Sequence, residues 1–91
     1  VIKYAKLKGW RVAHFRAART AKGWRTPVQG DGKGFVDLIL VRDRVLAVEL
    51  KTDNGDVSKD QQDWLIAFVK AGVRCLIWRP KYWADIEKVL E

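Results

Sequence analysis

Two apolar runs, Phe35–Val41 and Val45–Lys51, follow one another with only Arg42-Asp43-Arg44 between them. Both are rich in Val, Leu and Ile, and a short polar break between two such runs predicts an antiparallel hairpin. Upstream, Ile2 and Ala5, and likewise Val1, Tyr4 and Leu7, recur at helical spacing in Val1–Lys8, which Gly9 would close. Trp10–Phe15 alternates Trp10, Val12 and His14 against Arg11, Ala13 and Phe15, the period of a strand. Downstream, Asp53-Asn54-Gly55-Asp56 marks a turn without calcium-loop spacing. Ser58-Lys59-Asp60-Gln61 is a capping box that starts a helix running to about Ala71, burying Trp64, Leu65 and Phe68 and stopped by Gly72. Val73–Trp78 predicts a further strand, reached by a helical crossover and hence parallel to the second hairpin strand. Pro80 opens a last helix with Trp83, Ile86, Val89 and Leu90 facing inward. The order is αβββαβα: one α/β domain over residues 1–91 with a mixed sheet of α+β character.

Residues 16–34 break this periodicity. A stretch of that length without a pattern is uncommon in a small domain and is usually functional or disordered. It combines Arg16, Arg19, Lys22, Arg25 and Lys33 with Trp24, and basic residues interleaved with an aromatic suit a nucleic-acid strand lying across a loop; the plain alternative is a solvated basic loop. Gly30, Gly32 and Gly34 alternate with Asp31 and Lys33, but the P-loop spacing and its Ser or Thr are absent, so no nucleotide cofactor is expected. The three glycines read as a hinge that lets the basic loop lie over the strand edge, or as a plain turn.

Charge sharpens this reading. Residues 1–36 carry nine basic side chains against Asp31 alone, a net +8, whereas residues 37–91 net −1. Such an asymmetry is expected where one surface meets a polyanion, with nucleic acid ahead of an anionic membrane because the cations are not confined to one face of an amphipathic helix. A chain of 91 residues has one modest core, and dimerisation would be unsurprising. One cysteine excludes a disulfide framework, and one cysteine with one histidine excludes an ordinary structural zinc site. Cys75, in an apolar run, reads as a buried core thiol suited to a reducing compartment. No run approaches a membrane span and no secretory leader is visible, although the chain starts at Val1 rather than methionine. A cytoplasmic setting is expected.

Asp37, Glu49 and Lys51 are ionisable residues where core positions belong. If the hairpin turn is centred on Asp43, paired residue numbers sum to 86 and Asp37 lies opposite Glu49 with Cβ atoms roughly 5 Å apart. Alternation then places Lys51 on the same face as both. Two such carboxylates among apolar neighbours would drive one pKa upward unless a cation sits between them. Hard cations such as Mg²⁺ take one or two carboxylates with water and phosphate, and Lys51 would reach a water or phosphate oxygen held there. An ion pair at the sheet edge is the structural alternative. Gln61 falls on the inward stripe of its helix, where capping alone would also explain it. His14 is expected to pack or to face DNA rather than to ligate a hard metal.

The ordered set Asp37, Glu49-Leu50-Lys51 and Gln61 resembles the PD-(D/E)XK nuclease superfamily, with its restriction-endonuclease-like αβββαβ core, here followed by a C-terminal helix. Within it, Gly34-Phe35-Val36-Asp37-Leu38-Ile39-Leu40, Val48-Glu49-Leu50-Lys51, Ser58 with Gln61 and Trp64, and Val73–Arg79 are similar to the VRR-NUC subfamily. The resemblance implies that Asp37, Glu49 and the backbone carbonyl of Leu50 bind Mg²⁺ or Mn²⁺. It further implies that Lys51 positions or deprotonates the attacking water, with Gln61 assisting. Subfamily members usually carry an acidic residue in the first helix; Val1–Lys8 has none, so that acid either precedes Val1 or the site is weakened. Stand-alone bacterial and phage members resemble Holliday-junction resolvases acting as homodimers, and a lone small domain favours that type over monomeric flap nucleases. The implied substrate is branched or duplex DNA. A sequence-specific endonuclease and a non-catalytic DNA-binding module with a decayed metal site are the competing expectations.

Overall fold

A four-stranded sheet in the order β1-β4-β5-β6 organises the molecule. The computed structural model describes residues 1–15 and 30–91 together with the backbone of 18–20 and 23–25. Its elements are α1 (Ile2–Leu7), β1 (Arg11–His14), β2 (Ala18–Thr20), β3 (Gly23–Arg25), β4 (Leu38–Val41), β5 (Val45–Leu50), α2 (Lys59–Lys70), β6 (Arg74–Trp78), a 3-10 turn (Pro80–Tyr82) and α3 (Trp83–Leu90). β4 pairs antiparallel with β1 and with β5, and β6 runs parallel to β5, as a helical crossover requires. The chain has a mixed sheet and helices, consistent with a restriction-endonuclease-like α/β fold.

Strand alternation divides the sheet into two faces. Leu38, Leu40, Leu46 and Val48 point to one side and form, with Ala5, Trp10, Trp78, Ile86 and Leu90, the buried core under α1 and α3. Each such side chain taken out of water contributes about 1.5–3 kcal/mol, which fixes the register because a one-residue slip would expose the whole set. The other face is covered by α2 and carries a smaller aromatic cluster. There the Phe35 ring meets Phe15 at 5.0 Å and Trp64 at 4.8 Å, both edge to face, and Phe68 at 5.8 Å.

Gly9 and Gly72 end their helices in the same way. Both have positive φ, and in each case the next residue donates its N–H five residues back: Trp10 to the carbonyl of Ala5 at 3.0 Å, Val73 to that of Phe68 at 2.9 Å. This 6→1 bond satisfies carbonyls that the helix leaves open. A further device was not foreseen from the sequence. Arg42, at the hairpin tip, donates from Nη1 to the carbonyls of Lys8 (3.0 Å) and Leu90 (3.1 Å) and from Nη2 to that of Glu91 (3.1 Å), while its guanidinium lies 4.5 Å from the Trp10 ring centroid. Arg44 reaches the Val89 carbonyl at 2.6 Å, and Trp10 Nε1 donates to Leu90 O at 2.9 Å. The polar break that reads only as a turn therefore closes the ends of both core helices, where cations are favoured. Arg42→Ala is expected to cost about 1–3 kcal/mol, seen as a lower midpoint in thermal unfolding; an unchanged midpoint would show the clamp to be idle.

Other expectations need correction. The patternless stretch 16–34 contains a short antiparallel pair, β2 with β3, in which Arg19 lies opposite Trp24. Three-residue strands with a mostly polar sequence leave no hydrophobic alternation to read. Trp83 does not face inward: it is 40% exposed, at the first position of α3, while Ile86 and Leu90 of that helix are buried. Trp64, Leu65 and Phe68 are half-buried rather than buried, since α2 covers its side of the sheet as a single layer. Cys75 is likewise half-buried, with its thiol pushed up by burial. Among the described residues, no helix is long and apolar enough to cross a membrane.

Candidate active site

The hairpin register places the two acids. Leu38 pairs with Val48 and Val41 with Val45, so the pairing sum is the 86 expected from a turn centred on Asp43. Asp37, one residue before β4, departs from this ladder: its N–H donates at 3.0 Å to the carbonyl of Val48, already the partner of Leu38, while its own carbonyl accepts from Phe15 N–H at 2.9 Å. The expected direct pairing of Asp37 with Glu49 is thus displaced, yet the two carboxyls remain close enough for Asp37 to push the Glu49 pKa up, and Glu49 points to the α2 face, away from the leucine core. Asp37 Oδ2 also accepts the N–H of Leu50 at 2.8 Å, which ties the carboxylate to the strand that carries Glu49. Lys51, two residues further, shares that face and is half-buried; its N–H donates to Trp78 O at 3.0 Å, anchoring the strand end against β6.

Glu49 is the one buried charged residue among those described, at 1% exposure. Its Oε1 accepts from Gln61 Nε2 at 2.9 Å, whereas Oε2 has no hydrogen-bond partner among the described residues. Burial first, and then the neighbouring Asp37 carboxyl, push its pKa up from 4.5 to about 8, with Lys51 pulling the other way. An orphaned buried carboxyl oxygen normally costs about 1–3 kcal/mol and calls for a reason.

Gln61 performs two tasks with one amide. Its Oε1 accepts from the Ser58 N–H at 2.9 Å and its own N–H donates to Ser58 Oγ at 3.2 Å, completing the capping box, while Nε2 holds Glu49. The cap and the contact with Glu49 coexist because the cap uses the amide oxygen and leaves the nitrogen free to reach the sheet.

The glycine segment is a turn rather than a loose hinge, and it is held against α2. Trp64 Nε1 donates to Asp31 O at 3.0 Å, Lys33 lies 3.5 Å from Asp60, and Phe35 N–H returns to Gly32 O at 3.0 Å. Gly34 has φ +80°, and a Cβ there would meet the Asp60 carbonyl carbon at 2.6 Å and Gln61 N at 2.7 Å. The turn is thus docked on the first residues of α2, a closeness that only glycine permits. Gly34→Ala is expected to destabilise the fold by about 1–3 kcal/mol by displacing the start of α2; a variant with wild-type melting would show that α2 accommodates the methyl group freely.

The remaining candidates are less concentrated. His14 is exposed and pairs with Leu38, which puts it on the opposite face from Glu49. Lys33 is exposed beside Asp60. Arg16 and Lys22 lie outside the described residues, as do the side chains of Arg19, Trp24 and Arg25. No group of three or more His, Cys, Asp or Glu residues able to hold a metal occurs among the described residues; Asp37 and Glu49 are the two neighbouring carboxyls. Two carboxylates and the Leu50 carbonyl form an all-oxygen set, which suits a hard divalent cation, and a cation would give Glu49 Oε2 the partner it lacks.

Against known proteins, the family model of the VRR-NUC domain matches residues 10–79. The chain belongs to the VRR-NUC family. It is a nuclease domain of the PD-(D/E)XK type, and Asp37, Glu49, Lys51 and Gln61 all fall within the matched span. Neither a curated protein nor a solved structure gave a match. In this VRR-NUC chain α1 and α3 lie outside the matched residues, yet they supply Ala5, Ile86 and Leu90 to the core.

Proposed function

We infer that this VRR-NUC domain is a divalent-metal-dependent endonuclease acting on branched DNA, with Holliday-junction resolution by a homodimer as the leading form. The carrying observation is the neighbouring carboxyls of Asp37 and Glu49, the latter buried with an oxygen unpartnered among the described residues, with Lys51 near enough to act on Glu49. Asp37, Glu49 and the Leu50 carbonyl would hold Mg²⁺ or Mn²⁺, and such an ion supplies a lowered pKa for a bound water and charge stabilisation at the phosphoryl group. Glu49 must give up its proton for this, and Gln61 keeps its carboxyl aimed into the site as it does so. Lys51 donates a hydrogen bond to the attacking water or to a non-bridging phosphate oxygen, where its charge stabilises the transition state. The cationic residues of 16–34, Lys33 among them, provide phosphate contacts that bind without reading sequence. Two such sites related by an isologous interface would face opposite strands and allow paired nicks.

α1 carries no acidic residue, and if none precedes it in the protein the second reading is a DNA-binding module whose metal site has decayed. Calorimetry with Mn²⁺ separates the two, since a decayed site shows no saturable binding. The function itself is tested by incubation with Mg²⁺ and a panel of four-way junction, flap, nicked and linear duplex DNA. Symmetric incisions confined to the four-way junction are expected. Preferential cutting of flaps or of one linear sequence would replace resolution by one of those activities, and no cutting of any substrate would end the catalytic assignment.

A further inference from the structure

The side of the molecule turned away from Asp37 and Glu49 carries a surface that phosphodiester cleavage does not use. Lys3, Lys6 and Leu7 occupy positions i, i+3 and i+4 of α1 and so share one side of that helix. With Val1, Tyr4 and Trp83 they line an open groove of about 610 Å³ that no acidic side chain among the described residues borders. Leu7 is 79% exposed and Trp83 40% exposed. The Tyr4 and Trp83 rings meet edge to face at 5.7 Å, and Lys8 Nζ lies 5.5 Å from the Tyr4 ring centroid.

Folding gains nothing by leaving Leu7 and an indole in water, and contiguous exposed apolar surface rimmed by polar groups marks an interaction site. The ligand it fits has the inverse pattern, an apolar side chain flanked by anions. A nucleic-acid backbone would satisfy the lysines but presents phosphate and sugar, leaving Leu7 and Trp83 uncovered. The groove is also built from residues on both sides of the 10–79 span that makes this chain a nuclease. We propose that it docks an acidic peptide segment of a partner protein, whose large apolar side chain covers Leu7 and Trp83 while flanking Asp or Glu residues meet Lys3 and Lys6. This is recognition of a side-chain pattern, independent of which DNA the catalytic face cuts.

The test uses the whole chain and a short fluorescein-labelled peptide in which Glu and Asp flank Leu and Phe. A saturable anisotropy rise in the micromolar range is expected, weakened at least about tenfold by Leu7→Glu and by the double variant Lys3→Glu/Lys6→Glu. Leu7→Ala, a milder truncation of an exposed side chain, should weaken binding by less while leaving the circular dichroism spectrum unchanged. DNA cleavage by Leu7→Glu should equal that of the wild type, which keeps this result separate from the nuclease reading. The proposal is overturned by an absence of saturable binding, by equal affinity in Leu7→Glu, or by equal affinity for a peptide with its Leu and Phe replaced by Ala. It is also overturned if the lysine variant loses DNA affinity and duplex DNA displaces the peptide, which would make the groove a nucleic-acid contact.

Discussion

Lys51→Ala is expected to slow DNA cleavage by about 10³-fold or more, while metal binding and DNA binding stay within a few-fold of wild type. The reasoning is geometric. Lys51 follows Glu49 by two positions, so its ammonium is delivered to the same face as the Glu49 carboxyl, and the bond from its N–H to Trp78 O fixes the base of the side chain. An ammonium placed where charge develops acts on the transition state far more than on the bound substrate, so its loss falls on turnover. Each tenfold loss corresponds to about 1.4 kcal/mol, and a charge-assisted contact in a partly dehydrated site reaches several of these. Asp37→Ala should abolish cleavage to a similar degree but by another route, because it also removes a metal donor and the anchor of the Leu50 N–H. Single-turnover cleavage at saturating Mg²⁺, with Mn²⁺ titration calorimetry on both variants, distinguishes the two. Cleavage by Lys51→Ala within tenfold of wild type would remove that residue from the chemistry.

The second large effect concerns stability without metal. Glu49 has a folded pKa of about 8 against 4.5 for the unperturbed group. Between those values the folded protein holds a proton that the unfolded chain has released, so stability is complete below about pH 4.5, falls as pH rises through this window, and levels off above about pH 8. The limiting loss is on the order of 3–5 kcal/mol, enough to lower the melting temperature of a domain this size by at least about 10 °C. Chelator-treated protein should therefore melt markedly lower at pH 8 than at pH 5. Adding Mg²⁺ should restore stability at pH 8 and do little at pH 5, where protons compete for the same oxygens. Glu49→Gln keeps the volume and cannot ionise, so its melting temperature should change much less between pH 5 and 8 and should not respond to Mg²⁺. A wild-type melting temperature that is flat from pH 5 to 8 in chelator would mean that Glu49 is ionised in the folded protein and that burial is compensated some other way.

Much of this candidate site could be read from the chain because strand alternation leaves few choices for Glu49 and Lys51, whereas Asp37 comes near them through a departure from the ladder that alternation does not announce. The capping box at Ser58 and Gln61 was equally legible, since it is a local pattern with a local mechanism. What escaped were interactions between parts distant in sequence. Nothing in Arg42-Asp43-Arg44 announces that its guanidinium groups close helix ends at Lys8, Val89 and Leu90. Gly34 reads as one more turn glycine until α2 is placed against it. Trp83 has helical spacing with Ile86 and Leu90, but it opens the helix at the margin of the core, where periodicity says nothing about depth. The β2–β3 ribbon is too short and too polar to announce itself through pattern.

Because the leucine core fixes how the two hairpin strands face each other, the tip that joins them can change length without parting the acids. What a longer tip would disturb is the reach of Arg42 and Arg44 to the carbonyls of Lys8, Val89 and Leu90. Length variation at 42–44 should therefore lower thermal stability before it touches cleavage.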